Sequence, residues 1–147
     1  MYYARMSKAK TDYVFTVLAA ASRVEGRLNR VLSNVKGVSF TEFCLLKELS
    51  QCHNSSATRV ELANAVHLTP SAVTRALKPL EKIGYVHTQK GERDARQSIA
   101  ALTHAGDELL RDASKLIRDE INALPLDKDI QATSSLNALQ SLAATRG

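Results

Sequence analysis

The chain has 147 residues, of which 44% are hydrophobic and 24% are charged, and its net charge is +5. This length and composition are typical of one globular domain and exclude collagen-like, disordered and membrane-embedded classes. Aromatic residues make up only 5%, which argues against a stacking platform for single-stranded nucleic acid, whereas the positive charge favours a polyanionic partner.

A long amphipathic helix is predicted from Asp12 to Lys36, with Thr11 as its cap and Gly37 at its end. Its first part, VFTVLAAASR, follows a basic stretch and resembles a signal peptide. The apolar spacing of three and four residues continues through the charged residues that follow, so we interpret the segment as a helix. At about 1.5 Å per residue it spans some 35 Å, and we expect a partner outside its own core.

Two more helices are predicted around a short polar linker, QCHNSSA. The first begins near Thr41, in the segment TEFCLLKEL. The second begins near Thr58, in the segment TRVELANAV, where Thr58 and Glu61 have the spacing of a capping box.

A fourth helix follows the third after about two residues. Thr69 is placed to cap it, Pro70 occupies the first helical position and Gly84 ends it. Two short helices joined by so tight a turn predict a helix-turn-helix.

A hairpin is predicted next, with strands at Tyr85–Gln89 and Gln97–Leu102. Its tip, KGERDAR, puts five charged side chains into seven residues, and we expect Gly91 to supply an unusual backbone angle there.

The C-terminal part is predicted to be helical again. Thr103 caps a helix that Pro125 terminates. A last helix is predicted from Lys128 to Ala144, with apolar positions at Ile130, Leu136, Leu139 and Leu142. The predicted fold is mainly α with a small β-hairpin: a winged helix-turn-helix flanked by N- and C-terminal helices.

The fourth helix carries the first set of candidate site residues. One apolar stripe is expected in the core: Val73, Leu77, Leu80 and Ile83. Four polar side chains then face outward: Ser71, Thr74, Arg75 and Lys78. Hydroxyl groups can contact base edges or phosphates, and an arginine can bind guanine O6 and N7 through two hydrogen bonds. An ordinary solvated face gives the same pattern, so the helix alone does not decide between the two interpretations.

The hairpin tip carries the second set. In a winged helix the tip lies beside the recognition helix, where Lys90, Arg93 or Arg96 can contact the phosphate backbone or the minor groove and Asp94 can hold an arginine extended. Residues 59–96 contain seven Lys or Arg against four Asp or Glu, which is +3 of the total +5. A solvated tip does not explain this concentration of positive charge, so we favour a DNA contact.

The segments LTPSAVTRALKPLEKIGYV and GERDARQSIAALTHAG resemble the MarR family of bacterial transcription regulators, and the helix order resembles that family over nearly the whole chain. The wing motif Asp94-Ala95-Arg96 is the most specific part of the resemblance. It implies that Arg96, oriented by Asp94, matches the minor-groove arginine. The positions that match the recognition helix are Ser71, Thr74 and Arg75. Pro79 departs from the family pattern, and we expect it to bend the helix without breaking it.

The resemblance also implies the organisation and function of the protein. We expect one MarR-like domain over residues 1–147, with the winged helix-turn-helix at about 38–103 and helical dimerisation regions at about 11–37 and 104–147. We expect a cytoplasmic homodimer that binds double-stranded DNA at a pseudo-palindromic operator. Its expected role is that of a ligand-responsive repressor, and the expected effector is a small aromatic or anionic molecule. The alternative is a winged-helix protein-interaction module that does not bind DNA.

Other residue classes give weaker signals. Cys44 and Cys52 form no disulfide or zinc pattern, which fits a reducing cytoplasm. The peroxide-sensing cysteines of some MarR relatives lie near the start of the first helix, where this chain has none. The four histidines lack the close spacing of a metal-binding helix. We therefore expect no metal, no cofactor, no membrane partner and no catalytic site.

Overall fold

The computed structural model describes residues 2–94, 96–126 and 133–144. Within these residues, six α-helices lie at Tyr2–Lys36 (α1), Phe40–Gln51 (α2), Arg59–Ala65 (α3), Pro70–Ile83 (α4), His104–Asn122 (α5) and Thr133–Ala143 (α6). Three strands lie at Ser56–Thr58 (β1), Val86–Lys90 (β2) and Ser98–Leu102 (β3). The predicted start of the last helix, including Ile130, lies outside the described residues.

Helix α1 is longer than predicted, with 35 residues. The predicted start at Asp12 with Thr11 as cap is wrong, because Thr11 lies inside the helix and its hydroxyl donates to the carbonyl of Ser7 at 2.9 Å. The ten residues before Thr11 contain no glycine or proline and include several good helix formers. Gly37, with φ of 70°, ends the helix as predicted.

Helix α2 begins one residue before the predicted Thr41. Ser39 is its cap: the Ser39 hydroxyl accepts from the Glu42 amide at 3.1 Å, and the Glu42 carboxylate accepts from the Ser39 amide at 2.9 Å. The reciprocal pair satisfies two backbone amides at the start of α2.

The sheet has three antiparallel strands in the order β1-β3-β2, where the sequence predicted two. The hairpin of β2 and β3 is confirmed, and Thr88 lies opposite Ala100 in its register. The missed strand β1 pairs Ala57 with Ala100 on the other side of β3. Three residues, Ser-Ala-Thr, are too few to show the alternation from which a strand is predicted.

A single cluster of buried side chains joins α1, α2, α3, α4, α5 and the sheet. Its largest fully buried members are Leu32, Val38, Leu45, Leu46, Leu49, Leu62, Val73, Leu77, Leu80 and Val86. Ile83, which was predicted to join them, is 56% exposed, and that prediction is wrong. At about 100° per residue, Ile83 lies about 80° from the Val73 direction, at the edge of the stripe.

Helix α5 begins at the predicted cap, since the Thr103 hydroxyl accepts from the Gly106 amide at 3.1 Å. It ends at Asn122, three residues before Pro125. Gly106 packs against the backbone of Tyr85, two residues after the end of α4: a Cβ at Gly106 would overlap the Tyr85 carbonyl oxygen. Only glycine fits there without a backbone shift, which explains the glycine of the LTHAG segment. Among the described residues, no helix is both long and apolar enough to cross a membrane.

Candidate nucleic-acid interface

Helix α3 and the turn after it set the position of α4. The capping box is confirmed: Thr58 accepts from the Glu61 amide at 3.2 Å, and the Glu61 carboxylate accepts from the Thr58 amide at 2.8 Å. After α3, His67 adopts a φ of 55° and the amide of Leu68 donates to the carbonyl of Ala63 at 2.9 Å. This left-handed reversal closes the helix-turn-helix within a few residues.

The two ends of α4 are fixed as predicted. The Thr69 hydroxyl accepts from the Ala72 amide at 3.2 Å and Pro70 takes the first helical position. Gly84 ends the helix with φ of 92°. Pro79 does not interrupt α4, which runs through it as one helix of 14 residues, and Lys78 beside it is exposed.

The outer face of α4 presents the predicted side chains. Ser71, Arg75 and Lys78 are exposed and Thr74 is half-buried, while the opposite face belongs to the core. The Thr74 hydroxyl donates to the carbonyl of Pro70 at 3.0 Å. With its proton used inside the helix, Thr74 offers an acceptor oxygen and a methyl group, and a threonine methyl can contact the thymine methyl in the major groove.

The hairpin tip projects Lys90, Arg93 and Arg96 into solvent. The Asp94 carboxylate accepts from the backbone amide of Arg96 at 2.9 Å. In the described part of the chain Asp94 makes no ion pair with the Arg96 guanidinium, so its contact with Arg96 is to the backbone alone. Ala95 lies outside the described residues.

The expectation of an unusual backbone angle at Gly91 is wrong, because its φ is not positive. The reason for glycine is close packing inside the tip. A Cβ there would lie 2.8 Å from the carbonyl oxygen of Asp94 and 3.2 Å from the Cβ of Gln97. Gly91 donates to the Gln97 carbonyl at 2.9 Å, and the Gln97 amide donates to the Asp94 carbonyl at 3.0 Å. The tip is therefore a closed, hydrogen-bonded turn.

Sequence reasoning missed a polar cluster behind the tip. Its members, here called the Arg59 cluster, are Arg59, Glu81, Thr88 and Ser98. Arg59 donates to the Ser98 hydroxyl at 2.5 Å and lies 3.6 Å from the Glu81 carboxylate. The only sequence signal was an arginine directly after a capping threonine, which is common on any helix surface.

The remaining candidate groups do not form a second site. Burial raises the pKa of the Cys44 thiol, an effect that Lys47 opposes. Burial, and then the nearby Glu48 and Glu61 carboxylates, raise the pKa of the Cys52 thiol. Raised pKa values keep both groups as thiols at neutral pH, which is unfavourable for peroxide sensing. Among the described residues, no group of three or more His, Cys, Asp or Glu side chains is arranged to hold a metal ion.

The helix-turn-helix and the wing resemble those of known proteins. Residues 38–98 match the model of the MarR family. The transcriptional regulator BldR from Sulfolobus solfataricus is 25% identical with a TM-score of 0.79, and the match covers 91% of this chain and 96% of BldR. Sco3205, a MarR family transcriptional regulator from Streptomyces coelicolor solved in complex with DNA, is 26% identical with a TM-score of 0.79, over 92% of this chain and 87% of Sco3205.

A third structure agrees in fold. CouR from Rhodococcus jostii RHA1, bound to p-coumaroyl-CoA, is 21% identical with a TM-score of 0.77, over 92% of this chain and 94% of CouR. No curated protein matches the chain. The family match lies on the helix-turn-helix and the wing, and the relatives share the surrounding helices. Residues 38–98 therefore match the MarR family, and the chain shares the winged helix-turn-helix fold of transcription regulators of that family.

Proposed function

We propose that this protein is a sequence-specific regulator that binds double-stranded DNA, acts without catalysis and works in the cytoplasm as a ligand-responsive repressor. The observation that carries the proposal is the shared outward exposure of Ser71, Arg75 and Lys78 on α4 and of Arg93 and Arg96 on the wing tip. Sco3205, which is similar over 92% of this chain, was solved in complex with DNA.

The two surfaces have different roles in this proposal. Helix α4 is the recognition helix, and Arg75 near its start hydrogen-bonds guanine in the major groove while Ser71 and Thr74 contact neighbouring bases or phosphates. The wing tip inserts Arg96 into the minor groove, where the negative potential attracts arginine. Lys78, Lys90 and Arg93 contact phosphates and contribute affinity without sequence information, and Asp94 holds the tip in shape.

We further propose that the protein acts as a homodimer. The N-terminal half of α1 exposes a group of large apolar side chains: Tyr13, Val14, Phe15 and Leu18. Helix α6 exposes Leu136, Leu139 and Leu142. Surfaces of this kind are typical of an interface with a second chain. In this arrangement residues 1–147 form one domain, in which about 11–37 and 104–147 dimerise and about 38–103 bind DNA.

The dimer is tested by the mass of the particle in solution. We expect the wild type to have twice the 16.1 kDa mass of one chain and Leu18→Glu to be monomeric. Val60→Glu is the matched control, because Val60 on α3 is exposed to the same extent, 59% against 58% for Leu18. A monomeric wild type, or equal dissociation by both variants, would contradict the proposed interface.

The proposed effector is a small aromatic or anionic molecule that binds between the winged region and the dimerisation helices. CouR, which shares the fold, was solved bound to p-coumaroyl-CoA. Such a ligand changes DNA affinity only if it binds the two arrangements of the wings with different affinities. Screening aromatic carboxylates and their coenzyme A thioesters for release of a bound duplex tests this part.

The DNA-binding proposal is tested by selecting bound duplexes from a random pool at physiological salt. We expect recovery of an inverted repeat, because two identical heads related by two-fold symmetry read two identical half-sites. A recovered pool that stays random would favour the alternative, a winged module that binds protein.

A further inference from the structure

We propose that Arg59 is a positioning residue that fixes the wing tip against the recognition helix, and thereby determines whether both can contact one DNA duplex at once. This inference rests on the proposed DNA-binding function, but its structural half can be tested without DNA. Arg59 itself lies behind the contact surface, with 20% of its side chain exposed.

One guanidinium connects three elements. Arg59 is the first residue of α3, and it donates to Ser98 of β3 at 2.5 Å and to Thr88 of β2 at 3.4 Å. It also lies 3.6 Å from Glu81 of the recognition helix. A planar group with five donors can satisfy three acceptors at once, which a lysine ammonium on a flexible stem does less well.

Glu81 closes the Arg59 cluster, because its carboxylate also accepts from the Thr88 hydroxyl. The Glu81 side chain is 31% exposed, so its pairing with Arg59 is partly shielded from solvent and salt. Members of such a network act together, so that removing one loosens the contacts of the others.

The Arg59 cluster contacts the hairpin near its tip, far from the base, and can therefore fix the position of the wing. The base of the hairpin is fixed to the end of α4, where the Thr103 hydroxyl donates to the Gly84 carbonyl at 2.6 Å. Ser98 lies opposite Lys90 at the far end of the ladder, next to the tip. Five residues at about 3.4 Å each separate Ser98 from Thr103, so the two anchor points on this strand lie about 17 Å apart. The base anchor and the pairing with β1 hold β3 as far as Ile99. The Arg59 cluster adds the contacts that hold Ser98, β2 and the tip against α4.

Charge and position give opposite predictions for Glu81. A carboxylate on the recognition helix repels phosphate, so a purely electrostatic account expects Glu81→Ala to bind DNA more tightly. If the carboxylate positions the wing through Arg59, the same variant binds less tightly. Alanine is a good helix former, so α4 remains folded in this variant.

The test compares wild type with Arg59→Gln, Glu81→Ala and the double variant. We expect amide hydrogen exchange in residues 86–102 to accelerate about tenfold in each single variant, and not to accelerate further in the double variant. We expect Glu81→Ala to bind the selected duplex about tenfold more weakly, with loss of minor-groove protection and retained major-groove protection. Arg59→Lys keeps the charge, and we expect its exchange rate to lie between those of wild type and Arg59→Gln.

Two variants on α5 are matched controls. Arg111→Gln removes an arginine that pairs with Asp107 at 2.5 Å, and Glu108→Ala removes a carboxylate that lies 3.2 Å from His104. Both should leave hairpin exchange and minor-groove protection unchanged. Unchanged hairpin exchange in Arg59→Gln and Glu81→Ala, or tighter DNA binding by Glu81→Ala, would overturn the inference. If the wild type selects no duplex, the DNA-binding proposal fails, and hydrogen exchange alone then decides whether Arg59 anchors the wing.

Discussion

The salt dependence of DNA binding gives a quantitative test of the role of Arg96. Its side chain is exposed on the wing tip, and its backbone amide is held by Asp94 at 2.9 Å. Replacing Arg96 with alanine removes the guanidinium and leaves this amide bond intact. We therefore expect Arg96→Ala to fold normally and to bind many sequences more weakly.

The magnitude follows from counterion release. Each phosphate that a cation neutralises contributes about 0.9 to the slope of log affinity against log salt concentration. A dimer loses two such cations in the Arg96→Ala variant, so the slope should become shallower by about 1.8. Over a fourfold rise in salt, from about 50 to 200 mM, wild-type affinity should fall about twelvefold more than that of the variant.

The assay is a fluorescence anisotropy titration of one labelled duplex at four or more salt concentrations. Arg111→Ala is the matched control, because it removes an exposed arginine from α5, and its slope should equal that of the wild type. Arg75→Ala should instead reduce discrimination against a wrong base by about 1–3 kcal/mol. An equal change of slope in Arg111→Ala and Arg96→Ala would refute the assignment of Arg96 as a phosphate or minor-groove contact.

Three further predictions concern stability and thiol chemistry. Gly106→Ala should lower the free energy of unfolding in urea by about 2–4 kcal/mol, because the new Cβ overlaps the Tyr85 carbonyl. Gly26→Ala is the control: its Cβ has no neighbour closer than 3.7 Å, so the change should be neutral or stabilising by up to about 1 kcal/mol. Pro79→Ala should raise the free energy of unfolding by about 1–2 kcal/mol, because it restores a helical N–H, and equal or lower stability in the same titration would contradict this. Cys52 should react slowly with iodoacetamide at pH 7 and faster as the pH rises toward its raised pKa, and peroxide treatment should leave DNA affinity unchanged.

The parts of the fold that the sequence predicted correctly are those with local chemistry. Thr58, Thr69 and Thr103 cap their helices because a hydroxyl needs only a backbone amide two or three residues away. Gly37 and Gly84 end helices because their left-handed φ is a property of single residues. Such signals can be recognised without knowing the rest of the structure.

The features that sequence reasoning missed depend on distant partners. Strand β1 exists because β3 offers a second edge for pairing, and its three residues carry no pattern of their own. Arg59 contacts Ser98, which lies 39 residues farther along the chain, and no spacing rule indicates this contact. Gly91 is required by the packing of the tip against Asp94, so its role became visible only in three dimensions. The exposure of the side chains at the site was predictable, and the cluster that holds the two surfaces together was not.

The central claim is that the winged helix-turn-helix regions of two identical protomers bind neighbouring half-sites of one duplex. The spacing of the half-sites tests this claim most directly. Using the selected inverted repeat, affinity is measured before and after five base pairs are inserted between its halves. The insertion turns one half-site to the opposite face of the DNA, so we expect a loss of about 100-fold or more. Equal affinity for the two duplexes would contradict simultaneous binding by a dimer.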